Sequence, residues 1–269
     1  MMDTLRLYLR LVSIRIRSQM QYRLSLALDV FGTAFIILTE FLALVGVFWR
    51  FGSIGGWTLG EVAFLYGLAD VSFATMDMIF SGYDPGYFSE QIRRGTFDQF
   101  LLRPLALPLQ VFTSEFLIRR LGRIGQGVLI FSLSLYLAPI AWTPAKIVYL
   151  FIVYLSAIAF FGGMFVAGAT ISFWTVESIE VINIFTYGGT TMMSYPMHIY
   201  GDWMRRLFTF IVPAALIIYY PALYFFDKPD PFGLPIFMRF LAPFAGLAVL
   251  TAAFAFWQLG VRKYTSTGT

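Results

Sequence analysis

The sequence predicts an all-α integral membrane protein with six transmembrane helices, and three observations predict it. Long apolar stretches recur along the whole chain, most of them reaching the roughly 20 residues that a helix needs to cross a bilayer core of about 30 Å. Hydrophobic residues make up 59% of the chain and charged residues 13%, whereas a soluble domain holds about 45–50% and about 25%. Sixteen of the nineteen basic residues are arginine, and most lie in clusters beside the apolar stretches.

Taken in order, residues 3–23 predict an interfacial helix. Arg6, Arg10, Ser13 and Arg17 recur at helical spacing beside a face of Leu5, Leu9, Val12 and Ile16, a pattern that keeps arginines near lipid phosphates. A cleavable signal peptide would instead show a short basic start, an apolar run and a small-residue cleavage site. Spans are expected at 26–49, 59–81, 117–137, 147–174, 177–199 and 237–259. Lys and Arg concentrate in cytoplasmic loops. Arg6, Arg10, Arg15, Arg17 and Arg23 precede the first span, and Arg93, Arg94, Arg103, Arg119, Arg120 and Arg123 follow the second. The N-terminus is therefore expected inside, with 82–116 a cytoplasmic loop.

The stretch 176–226 is too long for one crossing. Crossing at 207–224 puts fifteen basic residues inside and four outside, by count over the sequence. Crossing at 177–199, with 201–226 re-entrant from the outer side, puts thirteen inside and six outside. A double crossing gives the same count and an outer C-terminus. Helix chemistry favours the re-entrant reading, with both termini cytoplasmic. Pro213 and Pro221 interrupt 207–224, and an interior Pro costs a helix about 3 kcal/mol. Glu177 and Glu180 suit a first helical turn. In the fourth span, Ala159, Gly163 and Ala167 form a small-residue stripe that permits close helix packing.

Composition excludes several function classes. With no cysteine and a single histidine, His198, thiolate chemistry and His-cluster metal sites are ruled out. Met192, Met193 and Met197 read as packing residues. The basic clusters lie beside spans, so they are no nucleic-acid footprint. No G-x-x-x-x-G-K-[ST] phosphate loop is present, and none of Lys146, Lys228 and Lys263 follows glycine.

Two groups carry chemical information. The segment 87–105 mixes apolar side chains (Phe97, Phe100, Leu101, Leu102) with charges of both signs (Glu90, Arg93, Arg94, Asp98, Arg103) around Gly95, a residue type favoured just past a helix end. Such a knob suits either a groove on another protein or the lipid interface. Glu40, Asp70 and Asp77 fall within spans, and Asp70, Asp77 and Tyr66 share or flank one face. Intramembrane acids face protein or water. They line a cation-attracting route, or they pair internally with Arg119, Arg120 or Arg123.

The stretch Gln91-Ile-Arg-Arg-Gly-Thr-Phe-Asp-Gln-Phe-Leu-Leu-Arg-Pro-Leu105 resembles the signature loop of permease subunits of type-2 ATP-binding-cassette exporters. Tyr195-Pro196, Trp203, Pro213, Tyr220-Pro221 and the tail 260–268 resemble the viologen-exporter-like subgroup. The resemblance covers nearly the whole chain. It implies a single permease domain in a bacterial plasma membrane, paired with itself or a sister permease. It also implies that Glu90, Arg93, Arg94, Gly95, Phe97, Asp98 and Arg103 form a coupling helix docking on a cytoplasmic ATPase dimer. That partner, and not this chain, would bind ATP and Mg. The cargo expected is amphipathic or lipophilic, with an organic cation among the options, and Glu40, Tyr66, Asp70 and Asp77 are the candidate pathway residues. An ion-coupled carrier or an intramembrane lipid enzyme are the competing readings.

Overall fold

The computed structural model describes residues 2–175 and 180–266. Among these the chain is helical throughout, and its one extended feature is an isolated bridge between Ile54 and Trp57. Six of the helices are long: α1 (Met2–Gln19), α2 (Arg23–Phe51), α3 (Leu59–Ile79), α7 (Arg120–Leu137), α8 (Pro144–Thr175) and α13 (Ala242–Lys263). Shorter helices fill the connections: α4 (Pro85–Arg93), α5 (Asp98–Leu101) and α6 (Leu107–Ser114) after α3, then α9 (Glu180–Met193), α10 (Asp202–Arg206), α11 (Ala214–Ile217) and α12 (Tyr219–Phe225) before α13.

By length and composition four helical runs can cross a membrane: Arg6–Phe51, Leu59–Ile79, Pro144–Thr175 and Ala242–Lys263. The bent pair Asp202–Ile211 and Ala214–Phe225 makes a fifth if it is counted as one span. α1, at the place of the expected interfacial helix, runs into α2 through a 3-10 turn at Met20–Tyr22. The joint is local: Tyr22 leaves helical geometry at φ −104°, ψ 56°.

α3 is the central helix. It has no solvated polar face, as suits a helix packed nearly all round, although it carries Glu61, Asp70 and Asp77, and its first turn is fixed by a capping box between Thr58 and Glu61. Glycines set its distance from α7. A Cβ on Gly67 would lie 2.7 Å from the Phe131 backbone, and one on Gly127 2.9 Å from that of Val71. The contacts Gly60–Leu137 and Gly67–Phe131 run in opposite chain directions, so α7 is antiparallel to α3 along its length. It therefore shares the depth of α3, although Arg120 and Arg123 lower its hydropathy. α8 and α13 lie parallel in a second glycine seam: Gly246 meets Ser156, Gly163 meets Leu250 and Gly260 meets Phe173. Of the expected small-residue stripe, Gly163 sits in this seam, and Ala167 lines an apolar cleft beside it.

Helix bounds differ from the sequence expectation at three places. α7 starts at Arg120, because 115–119 run non-helically past α1. α13 starts at Ala242 after a 3-10 turn at Ile236–Phe240. α9 ends at Met193, and a 3-10 turn at Met197–Ile199 follows Pro196. At 14 residues, α9 is about 21 Å long at 1.5 Å per residue. Glu177 lies outside the described residues.

The bundle has two distinct ends. One carries α4–α6, the loop end. The other carries the 52–58 turn, the start of α8 and the 226–241 segment, the far end. His198 meets Gly55 and stacks on Trp57 at 6.4 Å between ring centroids. Further along, Lys228 reaches Glu61 at 3.1 Å and the Gly56 carbonyl at 2.8 Å. Lys146 bonds the Phe225 carbonyl and Asp227, both at 3.0 Å. The stretch 199–226 thus leaves and rejoins the same end. Between those points it bends by 68° around Val212–Pro213, and Ile211–Pro213 touch the cleft formed by Gly163 and Val249 at mid-helix.

Candidate functional site

Two groups of residues deserve a functional reading, the loop 85–114 and the acids on α2 and α3.

The loop is folded locally before it is packed. Asp84 caps α4, its side chain accepting from the Tyr87 N–H at 3.0 Å, with Pro85 in the first turn. Gly95 stops the helix at φ +67°, a left-handed conformation in which any Cβ is strained. The sharp turn it allows aims Phe97 inward. Phe97 is fully buried, with its ring against Phe88 (5.5 Å between centroids), Phe173 of α8 (5.2 Å) and Tyr264 (4.9 Å) just past α13. Trp257 of α13 closes the cluster against Phe88 at 4.9 Å. Phe97 thus anchors the loop to the chain's own helices, while Leu101, Leu102 and Leu105 are left outside.

Next to that anchor, Asp98 accepts from the Tyr264 hydroxyl at 2.9 Å and from the Ser266 hydroxyl at 2.5 Å. Burial and the Asp98 bond push the Tyr264 phenol up to about 12, so it stays a donor throughout the physiological range. Gln110 ties the far side of the loop, donating to the Phe100 and Leu105 carbonyls at 2.9 Å each. Glu90 pairs with both Arg93 and Arg94, and their hydrogen bonds hold its carboxyl below the usual range. Arg103 lies over the Phe100 ring at 5.8 Å. The outward face therefore carries Arg93, Arg94, Leu101, Leu102 and Arg103 on a fixed base.

The sequence picks out the loop's charges and aromatics but not Phe88, Gln110, Phe173, Trp257, Tyr264 and Ser266, which hold it. Of these, Tyr264 and Ser266 lie in a tail already singled out by resemblance, and the others carry no local signal.

The acids sort differently. Asp70 meets Arg123 at 2.6 Å, and the guanidinium also lies 4.9 Å over the Phe73 ring. Asp77 meets Arg120 at 2.8 Å, although that N–H is not aimed for a hydrogen bond. Both carboxylates are buried. A buried charge without a partner costs several kcal/mol, and the arginines, one turn apart on α7, supply the partners. Of the two readings of these acids, the contacts are those of internal pairing. Glu40 is exposed on α2 and accepts from the Tyr66 hydroxyl at 3.4 Å. Tyr66 packs on Phe41 at 5.8 Å. The structure brings Glu40 and Tyr66 together and gives Asp70 and Asp77 separate basic partners. Among the described residues no group of His and acidic side chains is arranged to hold a metal ion.

A family model described as "ABC-2 family transporter protein" matches residues 34–268. No curated protein and no solved structure matches the chain.

Proposed function

The chain belongs to the ABC-2 family of transporter proteins, and from that premise we propose that it is the exporting membrane subunit of a complex driven by a separate ATPase. Family membership makes it a multi-pass membrane permease, a transport subunit that partners an ABC ATPase. The rest is our reading. Six crossings are formed by α2, α3, α7, α8, α9 and α13, with 201–226 re-entrant on the outer side and α1 at the cytoplasmic interface. Both termini are cytoplasmic, in a bacterial plasma membrane. Two permeases, identical or sister, complete the path.

The observation that carries this reading is the loop's attachment. Phe97 and Asp98 fasten it to α8 and to the end of α13, while Arg93, Arg94, Leu101, Leu102 and Arg103 project outward. A docking element transmits force only if its base is fixed to the spans and its tip is exposed. Glu90 and Gly95 set the tip's shape. This favours an ATP-driven permease over a carrier or a lipid enzyme, neither of which needs such a joint.

For cargo we propose an amphipathic or lipophilic molecule, with organic cations the preferred class. With Asp70 and Asp77 engaged by arginines, Glu40 and Tyr66 form the acid–aromatic pair open to a cation. The test is to express the chain with cytoplasmic ATP-binding-cassette subunits, isolate the complex and measure ATP hydrolysis across cationic, neutral and anionic amphiphiles. Stimulation led by cations, and lost in Glu40→Gln, is the expected result. Failure to retain any ATPase would overturn the coupling reading; equal stimulation by all classes would overturn the cargo reading alone.

A further inference from the structure

Where α1 joins α2, the chain wraps a cavity of about 380 Å³ against residues 115–119. Four charges line it: Arg15 from α1, Asp29 from α2, and Glu115 and Arg119 from the non-helical stretch before α7. Among the described residues none of the four forms an ion pair. A second cavity of about 210 Å³ continues it past Asp29 and Arg119. Gln19 fixes the geometry: its side chain accepts from the Ile118 N–H at 3.0 Å and donates to the Phe116 carbonyl. Leu26 and Phe116 give the cavity an apolar wall. Its depth is that of the first turns of α2, where the apolar run begins and the arginine clusters stand.

Opposite charges that share a cavity without meeting leave room for a ligand bearing both signs. We propose that this cavity binds the zwitterionic headgroup of an amine-bearing phospholipid, its phosphate between Arg15 and Arg119 and its primary ammonium against Asp29 and Glu115. A guanidinium matches phosphate oxygens with paired donors. A primary ammonium donates three hydrogen bonds to carboxylates, which the quaternary ammonium of choline lipids cannot do. An anionic lipid would satisfy the arginines and crowd the two acids. Burial raises the Glu115 carboxyl while Arg15 and Arg119 lower it, so a nearby ammonium would favour its ionised form. Soluble phosphoethanolamine offers the same polar groups, but the apolar wall at Leu26 and Phe116 favours a headgroup with its acyl chains. The proposal requires only that the chain lie in a bilayer and is independent of the cargo and of the ATPase.

The test is delipidation of the full-length chain in detergent, followed by titration with ethanolamine, choline and glycerol phospholipids of identical acyl chains, read by native mass spectrometry and thermal shift. A further arm uses soluble phosphoethanolamine. Expected is at least tenfold tighter retention of the ethanolamine lipid than of either other lipid, and no comparable effect of phosphoethanolamine. Arg119→Gln should lose at least tenfold in ethanolamine lipid binding. Asp29→Asn should abolish the preference over the anionic lipid, and Arg15→Gln provides a second variant on a different helix. Equal retention of the three lipids by the wild type would overturn the proposal, and so would soluble phosphoethanolamine matching the lipid. Because the readout is lipid retention by the isolated chain, its failure leaves the transport reading untouched.

Discussion

The Tyr264 hydroxyl donates to Asp98 at 2.9 Å, joining the end of the last helix to a loop 166 residues earlier in the chain. With Phe97 buried one residue before, the loop is held by a ring and a carboxylate in tandem. Its base belongs to the bundle, and only its outer edge is available to a partner.

Removing the ring separates base from edge. Phe97→Ala should cost about 3–5 kcal/mol of local packing and leave the outward arginines in place. Limited trypsin digestion of the folded protein should then cut faster after Arg93 and Arg94, and substrate-stimulated ATP hydrolysis should fall. Cleavage at the wild-type rate would show that the ring does not secure the loop.

Charge reversal at the edge should behave in the opposite way. Arg94→Glu combined with Leu102→Asp changes exposed positions, where ion pairs contribute about 0–1 kcal/mol. We expect an unchanged melting temperature and at least a tenfold loss of ATPase retention on an affinity column. Full retention would move the docking surface elsewhere.

For the paired acids, breaking one partner should hurt more than removing both. Asp70→Asn should lower stability by about 3 kcal/mol, since the partly buried Arg123 is left uncompensated. Asp70→Leu with Arg123→Met should recover most of that loss. Thermal unfolding in detergent reads both variants. A single mutant as stable as the wild type would return Asp70 to the list of transport residues.

Glycine substitutions should split by location. At Gly246, a Cβ would stand 2.5 Å from the Ser156 carbonyl, so Gly246→Ala should destabilise by about 1–3 kcal/mol through overpacking. At Gly125, nothing lies within 4 Å of the added carbon. Gly125→Ala should be neutral or stabilising by up to about 1 kcal/mol. The same order of melting temperatures for both variants would contradict the seam.

Topology can be read chemically, since the chain has no cysteine. Pro229→Cys should react with an impermeant maleimide on intact cells, and Thr265→Cys should react only after permeabilisation. Labelling of both from outside would place the C-terminus on the outer face and remove the re-entrant reading.

Much of the bundle was legible because run length and composition are local quantities. The apolar stretches 26–49, 59–81 and 147–174 lie within or close to α2, α3 and α8. Pro213 marks the bend, and Gly95 the end of α4, for conformational reasons visible in single residues. Phe97 was legible as an unusual loop residue but not as an anchor, because Phe173, Trp257 and Tyr264 reach it from far along the chain. The spacing of Asp70 and Asp77 on α3 and of Arg120 and Arg123 on α7 permitted pairing, yet only the antiparallel register of the two helices selects which acid meets which arginine.

One consequence follows from the glycine seam between α8 and α13. Two parallel helices whose backbones touch resist shear, so they act as a single lever arm with its handle at Phe97. At 32 residues, α8 is about 48 Å long at 1.5 Å per residue. A tilt of about 5° at the handle therefore swings its opposite end by roughly 4 Å. That end carries Lys146, clasped to the Phe225 carbonyl and Asp227, and so a small stroke at the loop would be delivered, amplified by length alone, to the segment at the far end of the bundle.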